Sequence, residues 1–84
     1  MKASNLVAYN VRRLRIKYMI SQENLALESG VARTHVSRIE RALENPTVGV
    51  LEKFAEVIGC KIGEFFEEPD GTPIEPMKSG RKRK

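Results

Sequence analysis

Apolar side chains in this chain recur every three or four positions, in short runs cut by Gly30, Pro46 and Gly59. That spacing requires short amphipathic helices packed on one another. No stretch of useful length alternates with the period of two that marks a half-buried strand, so an all-α fold is expected. Five helical stretches are predicted. The first runs from Ser4, as its N-cap, to about Met19, with Leu6, Val7, Val11, Leu14 and Tyr18 facing inward. Ser21 is expected to cap the second, with Glu23 near the positive end of its dipole and Leu25 and Ala26 on the inner face. Gly30 tolerates the left-handed backbone that commonly follows a helix, so Glu28-Ser29-Gly30-Val31 reads as a sharp turn. The third helix is predicted over Arg33–Ala42, with Val36, Ile39 and Leu43 inward. Thr47 should cap a fourth that carries Val48, Leu51, Phe54, Ala55 and Ile58 and stops at Gly59. A short fifth, Ile62–Phe66, would lay Ile62 and Phe65 on the core as a lid.

Residues 1–66 are read as one domain and residues 67–84 as a flexible tail. The tail segment, EEPDGTPIEPMKSGRKRK, has only Ile74 and Met77 as large apolar side chains and ends in the basic run Arg81-Lys82-Arg83-Lys84. Such a composition cannot bury enough surface to offset its ordering entropy. With 84 residues the core is modest, and small domains then rely on disulfides, metals, self-association or close helix packing. One cysteine, Cys60, and one histidine, His35, exclude an intrachain disulfide and a four-ligand zinc site. Helix packing and self-association are left, and Cys60 is expected to be a buried, inert thiol. No apolar run reaches the ~20 residues of a membrane span and no signal-peptide core is present, so a cytoplasmic protein without membrane contact is expected. Nucleophile elbows, phosphate-cradling glycine loops and metal clusters are missing from the sequence, which argues against an enzyme. No cofactor and no small-molecule effector is expected.

Charge is unevenly distributed. Met1–Arg41 holds eight Lys and Arg against three Glu, whereas Ala42–Phe66 holds two Lys against four Glu. A polyanion such as double-stranded DNA would meet the first half. Within it, Gln22–Arg41 has the form of two helices joined by a short turn containing Gly, the arrangement of a helix-turn-helix. Ala26 and Gly30 are small where the two helices must approach. Val36 and Ile39 would lock the second helix on the first, leaving Arg33, Thr34, Ser37, Arg38 and Arg41 on its outer side.

The stretch SQENLALESGVARTHVSRIERALENPTVGVLEKFAEVIGC resembles the Xre, or phage repressor and Cro, family of five-helix DNA-binding domains, which includes restriction-modification controllers. The resemblance covers about Val7–Phe66 and rests on Gln22, Leu25, Ala26, Gly30, Val36, Ile39, Glu40, Asn45, Pro46, Leu51, Ala55, Ile58 and Gly59 keeping the family spacing together. It implies a compact λ-repressor-like bundle that contacts base edges from the first, second and sixth residues of the recognition helix, here Arg33, Thr34 and Arg38, with Ser37 beside them. Arginine suits guanine O6 and N7, and threonine suits either a polar base edge or the thymine methyl. The resemblance further implies phosphate contacts from Gln22, Arg41 and Asn45, with His35 as another, and a structural ion pair between Arg15 and Glu40. It implies a transcriptional regulator acting as a homodimer on an operator. Val50, Val57 and Phe66 are apolar beyond what a small core needs, and either pack into that core or form the dimer face. Three positions depart from the family pattern: Ala32 replaces a usual Ser before the recognition helix, Ala42 a usual Gly after it, and Gly49 a helix former. A protein-interaction module on the same fold, of antitoxin or coactivator type, is the alternative. The basic outer face argues against it, because protein-docking helices more often present aromatic or aliphatic anchors.

Overall fold

The computed structural model describes residues 2–69; most of the tail read from the sequence, including its basic end, lies outside the described residues. Among the described residues there are four α-helices and a closing 3-10 turn: α1 (Ala3–Lys17), α2 (Gln22–Ser29), α3 (Arg33–Glu40), α4 (Val48–Ile58) and the turn Ile62–Phe66. The fifth predicted helix is thus a 3-10 turn. Five residues close little more than one turn and cannot sustain an α-helical ladder alone.

Residues from every element meet in one core, in which Val11, Leu14, Leu25, Val36, Phe54 and Phe65 are completely covered. α2 packs on both α3 and α4, and α1 lies against α3 and the 3-10 turn. Ile62 is half-buried beside Phe65, which closes the core at the C-terminal side.

Local chemistry accounts for most helix ends. The Ser21 hydroxyl accepts from the Asn24 N–H at 3.0 Å, and Thr47 Oγ1 from the Val50 N–H at 3.1 Å, so both residues cap as the sequence predicts. Gly30 and Gly59, at φ 76° and 86°, end α2 and α4 in the left-handed region. Ser4 is not an N-cap. Lys2 takes that place without a side-chain hydrogen bond, and α1 starts one residue before Ser4.

Three expected core positions are instead exposed. Tyr18 is the C-cap of α1, where the inward stripe has ended, and its ring lies under the Lys17 ammonium at 5.6 Å. Leu43 follows the reversal that ends α3, and Val48 is the first residue of α4, at a rim that no described element covers. Cys60 is half-buried rather than buried.

α1 and α3 end in the same way, and neither ends on glycine. After α1, the Met19 and Ile20 N–H groups return to the Ile16 and Arg15 carbonyls, both at 2.9 Å. After α3, Ala42 and Leu43 return to Ile39 and Arg38 at 3.0 and 2.9 Å. This paired pattern requires a left-handed residue, and here Met19 (φ 60°) and Ala42 (φ 59°) supply it. α3 therefore ends at Glu40, and Ala42, predicted as its last residue, forms the reversal.

One buried polar group has no counterpart in the sequence reading. Asn10, fully covered on α1, donates through Nδ2 to the carbonyls of Phe65 (2.9 Å) and Glu67 (2.8 Å), and its Oδ1 accepts from Arg13 Nε at 3.1 Å. The amide thereby satisfies two carbonyls at the end of the 3-10 turn and holds that turn on α1.

An L-residue in the left-handed region costs about 1–2 kcal/mol that glycine avoids. Ala42→Gly is therefore expected to stabilise the fold by about 1 kcal/mol, a rise in Tm of roughly 4–8 °C for a domain of this size, read by thermal unfolding under circular dichroism.

Candidate nucleic-acid interface

α3 is divided lengthwise. Val36 and Ile39 are buried, at 0% and 1% exposure, while Arg33, Thr34, Arg38 and Arg41 are exposed and Ser37 is half-buried. At 3.6 residues per turn, residues 33, 34, 37, 38 and 41 fall on one side of the helix, opposite the two anchors. Among the described residues, Arg33 and Arg41 make no ion pair. Asn45, beyond the α3 reversal, is also exposed.

Behind this surface lies the most deeply buried charge pair among the described residues. The Arg15 guanidinium grips Glu40 with two parallel bonds, Nε to Oε2 at 2.6 Å and Nη2 to Oε1 at 2.9 Å, and donates through Nη1 to the Ile20 carbonyl at 2.9 Å. The two side chains are only 8% and 2% exposed. Glu40 Oε1 also accepts from Gln22 Nε2 at 3.1 Å, so residues from α1, α2 and α3 meet on one carboxylate. Arg15 therefore points into the fold rather than outward with Arg12. Gln22, half-buried at the start of α2, is aimed by the same carboxylate and keeps a second amide N–H and its carbonyl uncommitted to Glu40.

Glu44 is the participant that sequence reasoning missed. The left-handed turn at Ala42 folds the chain back so that the Glu44 carboxylate reaches two α3 side chains, Arg38 Nε through Oε1 at 3.2 Å and His35 Nδ1 through Oε2 at 2.9 Å. The bond to His35, and then the Arg38 guanidinium, hold the Glu44 carboxyl below its ordinary range, so it is ionised and can only accept. His35 Nδ1 is then the donor in that bond. No local sequence signal marks Glu44, because its position depends on the reversal rather than on helical spacing.

Elsewhere, Val50 and Val57 are half-buried against the core, whereas Phe66 is 48% exposed. Burial, and then the charge of Glu64, push the Cys60 thiol up, away from the reactive thiolate. Among the described residues no group of His, Cys, Asp and Glu is arranged to hold a metal, and no helix is long and apolar enough to cross a membrane.

The comparison with known protein families decides the family of this arrangement. A helix-turn-helix family model matches residues 11–65, from the second half of α1 through Phe65. The chain belongs to the helix-turn-helix family, in its Xre branch. This helix-turn-helix protein is 34% identical over 74 residues to the uncharacterized HTH-type transcriptional regulator y4dJ of Sinorhizobium fredii, covering 88% of this chain and 96% of that one. Two solved structures share its fold. The hypothetical transcription factor NHTF from Neisseria superposes with a TM-score of 0.76 at 34% identity, over 81% of this chain and 78% of that one. The restriction-modification controller protein C.AhdI from Aeromonas hydrophila gives 0.72 at 30% identity, over 75% of this chain and 96% of that one. Some relatives are longer: the match spans 60% of the full Neisseria hypothetical transcription factor and 31% of the HTH-type transcriptional regulator PuuR of Escherichia coli.

Removing one partner of the Arg15–Glu40 pair strands a buried charge, at a cost of about 3–5 kcal/mol. Arg15→Ala should therefore lower the denaturant midpoint sharply. Arg12→Ala, at an exposed position of the same helix, should leave it within experimental error.

Proposed function

We propose that this DNA-binding transcriptional regulator lays α3 in the major groove of a two-fold operator as a homodimer in the cytoplasm. Arg33, Thr34, Ser37 and Arg38 face base edges, and Gln22, Arg41 and Asn45 hold phosphates. The observation that carries this reading is the division of α3, anchored by two buried residues and exposing Arg33, Arg38 and Arg41 on its other side, of which Arg33 and Arg41 make no ion pair among the described residues. A groove ~12 Å wide admits one such helix, and arginine donates to guanine in the geometry that discriminates best. Gln22 lies at the N-terminal end of α2, where free backbone N–H groups and the helix dipole attract a phosphate. His35 is a further phosphate contact through Nε2, its Nδ1 being engaged by Glu44.

The half-covered Val50 and Val57 and the exposed Phe66 support a dimer face on α4 and the closing turn. Of the regulator types that remain open, control of a restriction-modification system is favoured by the likeness to C.AhdI.

Gel-shift titration at fixed salt tests the reading surface. Arg38→Ala should weaken binding to the cognate operator far more than to random duplex, whereas Gln22→Ala should weaken both by similar factors. Equal losses for Arg38→Ala would overturn its base-reading role. A wild-type protein that shifted neither DNA would favour the protein-interaction alternative. Sedimentation tests the assembly: the wild type should run as a dimer and Val57→Glu as a monomer of unchanged helicity. A wild type that stays monomeric at high concentration contradicts the dimer.

A further inference from the structure

We propose that Glu44 is a positioning residue that sets DNA specificity, fixing Arg38 so that only the terminal edge of its guanidinium is offered to a base. The inference rests on Arg38 being a base reader, as proposed above. Three observations carry it.

A guanidinium donates along more than one edge, and a free arginine on an exposed helix samples many rotamers, so it can address several bases or a phosphate instead. Here Glu44 Oε1 stands 3.2 Å from Nε in an ion pair. The carboxylate lies on the Nε side of the guanidinium, and the fork formed by Nη1 and Nη2 is left for a base. That fork matches guanine O6 and N7.

The second carboxylate oxygen holds His35 Nδ1 at 2.9 Å, one turn back along α3. Glu44 is thus tied to two side chains of the same helix, which holds its carboxylate in place beside the Arg38 guanidinium.

Stability does not account for the arrangement. Arg38 is 51% exposed, and Glu44 and His35 are each about one-third exposed. Ion pairs at such exposure contribute little to folding. A carboxylate beside the groove-facing arginine also repels the phosphate backbone, which weakens non-specific binding while leaving the oriented contact in place. Both effects raise the ratio of specific to non-specific affinity.

The test is selection of bound sequences from random duplex DNA by the wild type, Arg38→Ala and Glu44→Gln, with thermal unfolding of each protein. Glutamine keeps the shape of the side chain but loses its charge and one acceptor oxygen, so it cannot hold both partners. Arg38→Ala should lose the preference at one base pair of each half-site. Glu44→Gln should reduce discrimination at that same base pair about tenfold, strengthen binding to random duplex, and leave Tm unchanged. If Arg38→Ala abolishes the preference and Glu44→Gln retains it, the role of Glu44 is refuted while Arg38 keeps its own. If Glu44→Gln loses preference at a different base pair, the carboxylate contacts DNA directly and positioning is refuted. A fall in Tm for Glu44→Gln would assign the residue to folding instead. If Arg38→Ala retains every preference, the base-reading role itself fails, and with it the ground for this inference.

Discussion

The orientation of α3 depends on a carboxylate that is almost out of water. Glu40 is the last residue of that helix, and it receives two bonds from Arg15 on α1 and one from Gln22 on α2. Burying two charges is costly, and a well-packed apolar replacement is often as stable. What an apolar replacement would lack is direction. A planar guanidinium bound through two parallel bonds accepts its carboxylate in one geometry only, so the end of α3 is fixed against two other elements rather than merely packed on them. We read the pair as the device that aligns the outer face of the helix.

That alignment matters because α3 is weak at both ends. It is eight residues long, too short to persist alone in water. Ala32 provides no side-chain cap at its start, and Ala42 adopts a left-handed backbone at its end without the freedom of glycine. Val36, Ile39 and the Glu40 pair therefore do what capping does elsewhere. Stability in this region comes from tertiary contacts, and so the side chains of the outer face are free of structural duty.

The closing turn shows the same dependence on contacts distant in sequence. Phe65 completes the core, but the turn is held in place by the Asn10 amide, which satisfies two backbone carbonyls more than fifty residues away. A buried asparagine on an otherwise apolar helix face costs free energy unless its hydrogen bonds are met, and here both amide N–H groups and the side-chain oxygen find partners within the fold.

Helical periodicity determined the all-α class, the inner residues Leu25, Val36, Ile39, Leu51 and Phe54, and the division of α3 into an apolar and a basic side. Serine and threonine capping and the glycine stops at 30 and 59 were legible as well, because caps and turns act over three or four residues, the range that sequence spacing encodes. The exposed ends at Tyr18, Leu43 and Val48 were not legible. Spacing continues past a helix end, whereas burial stops where neighbouring elements stop. Only the tertiary structure decided that Asn10 secures the closing turn, that Gln22 is aimed by Glu40, and that Glu44 returns to Arg38 and His35. Each of these depends on where the backbone reverses and on which elements it then brings together. A reversal at Ala42, against the ordinary preference of an L-residue, is settled by the packing on either side of it and not by the residue itself.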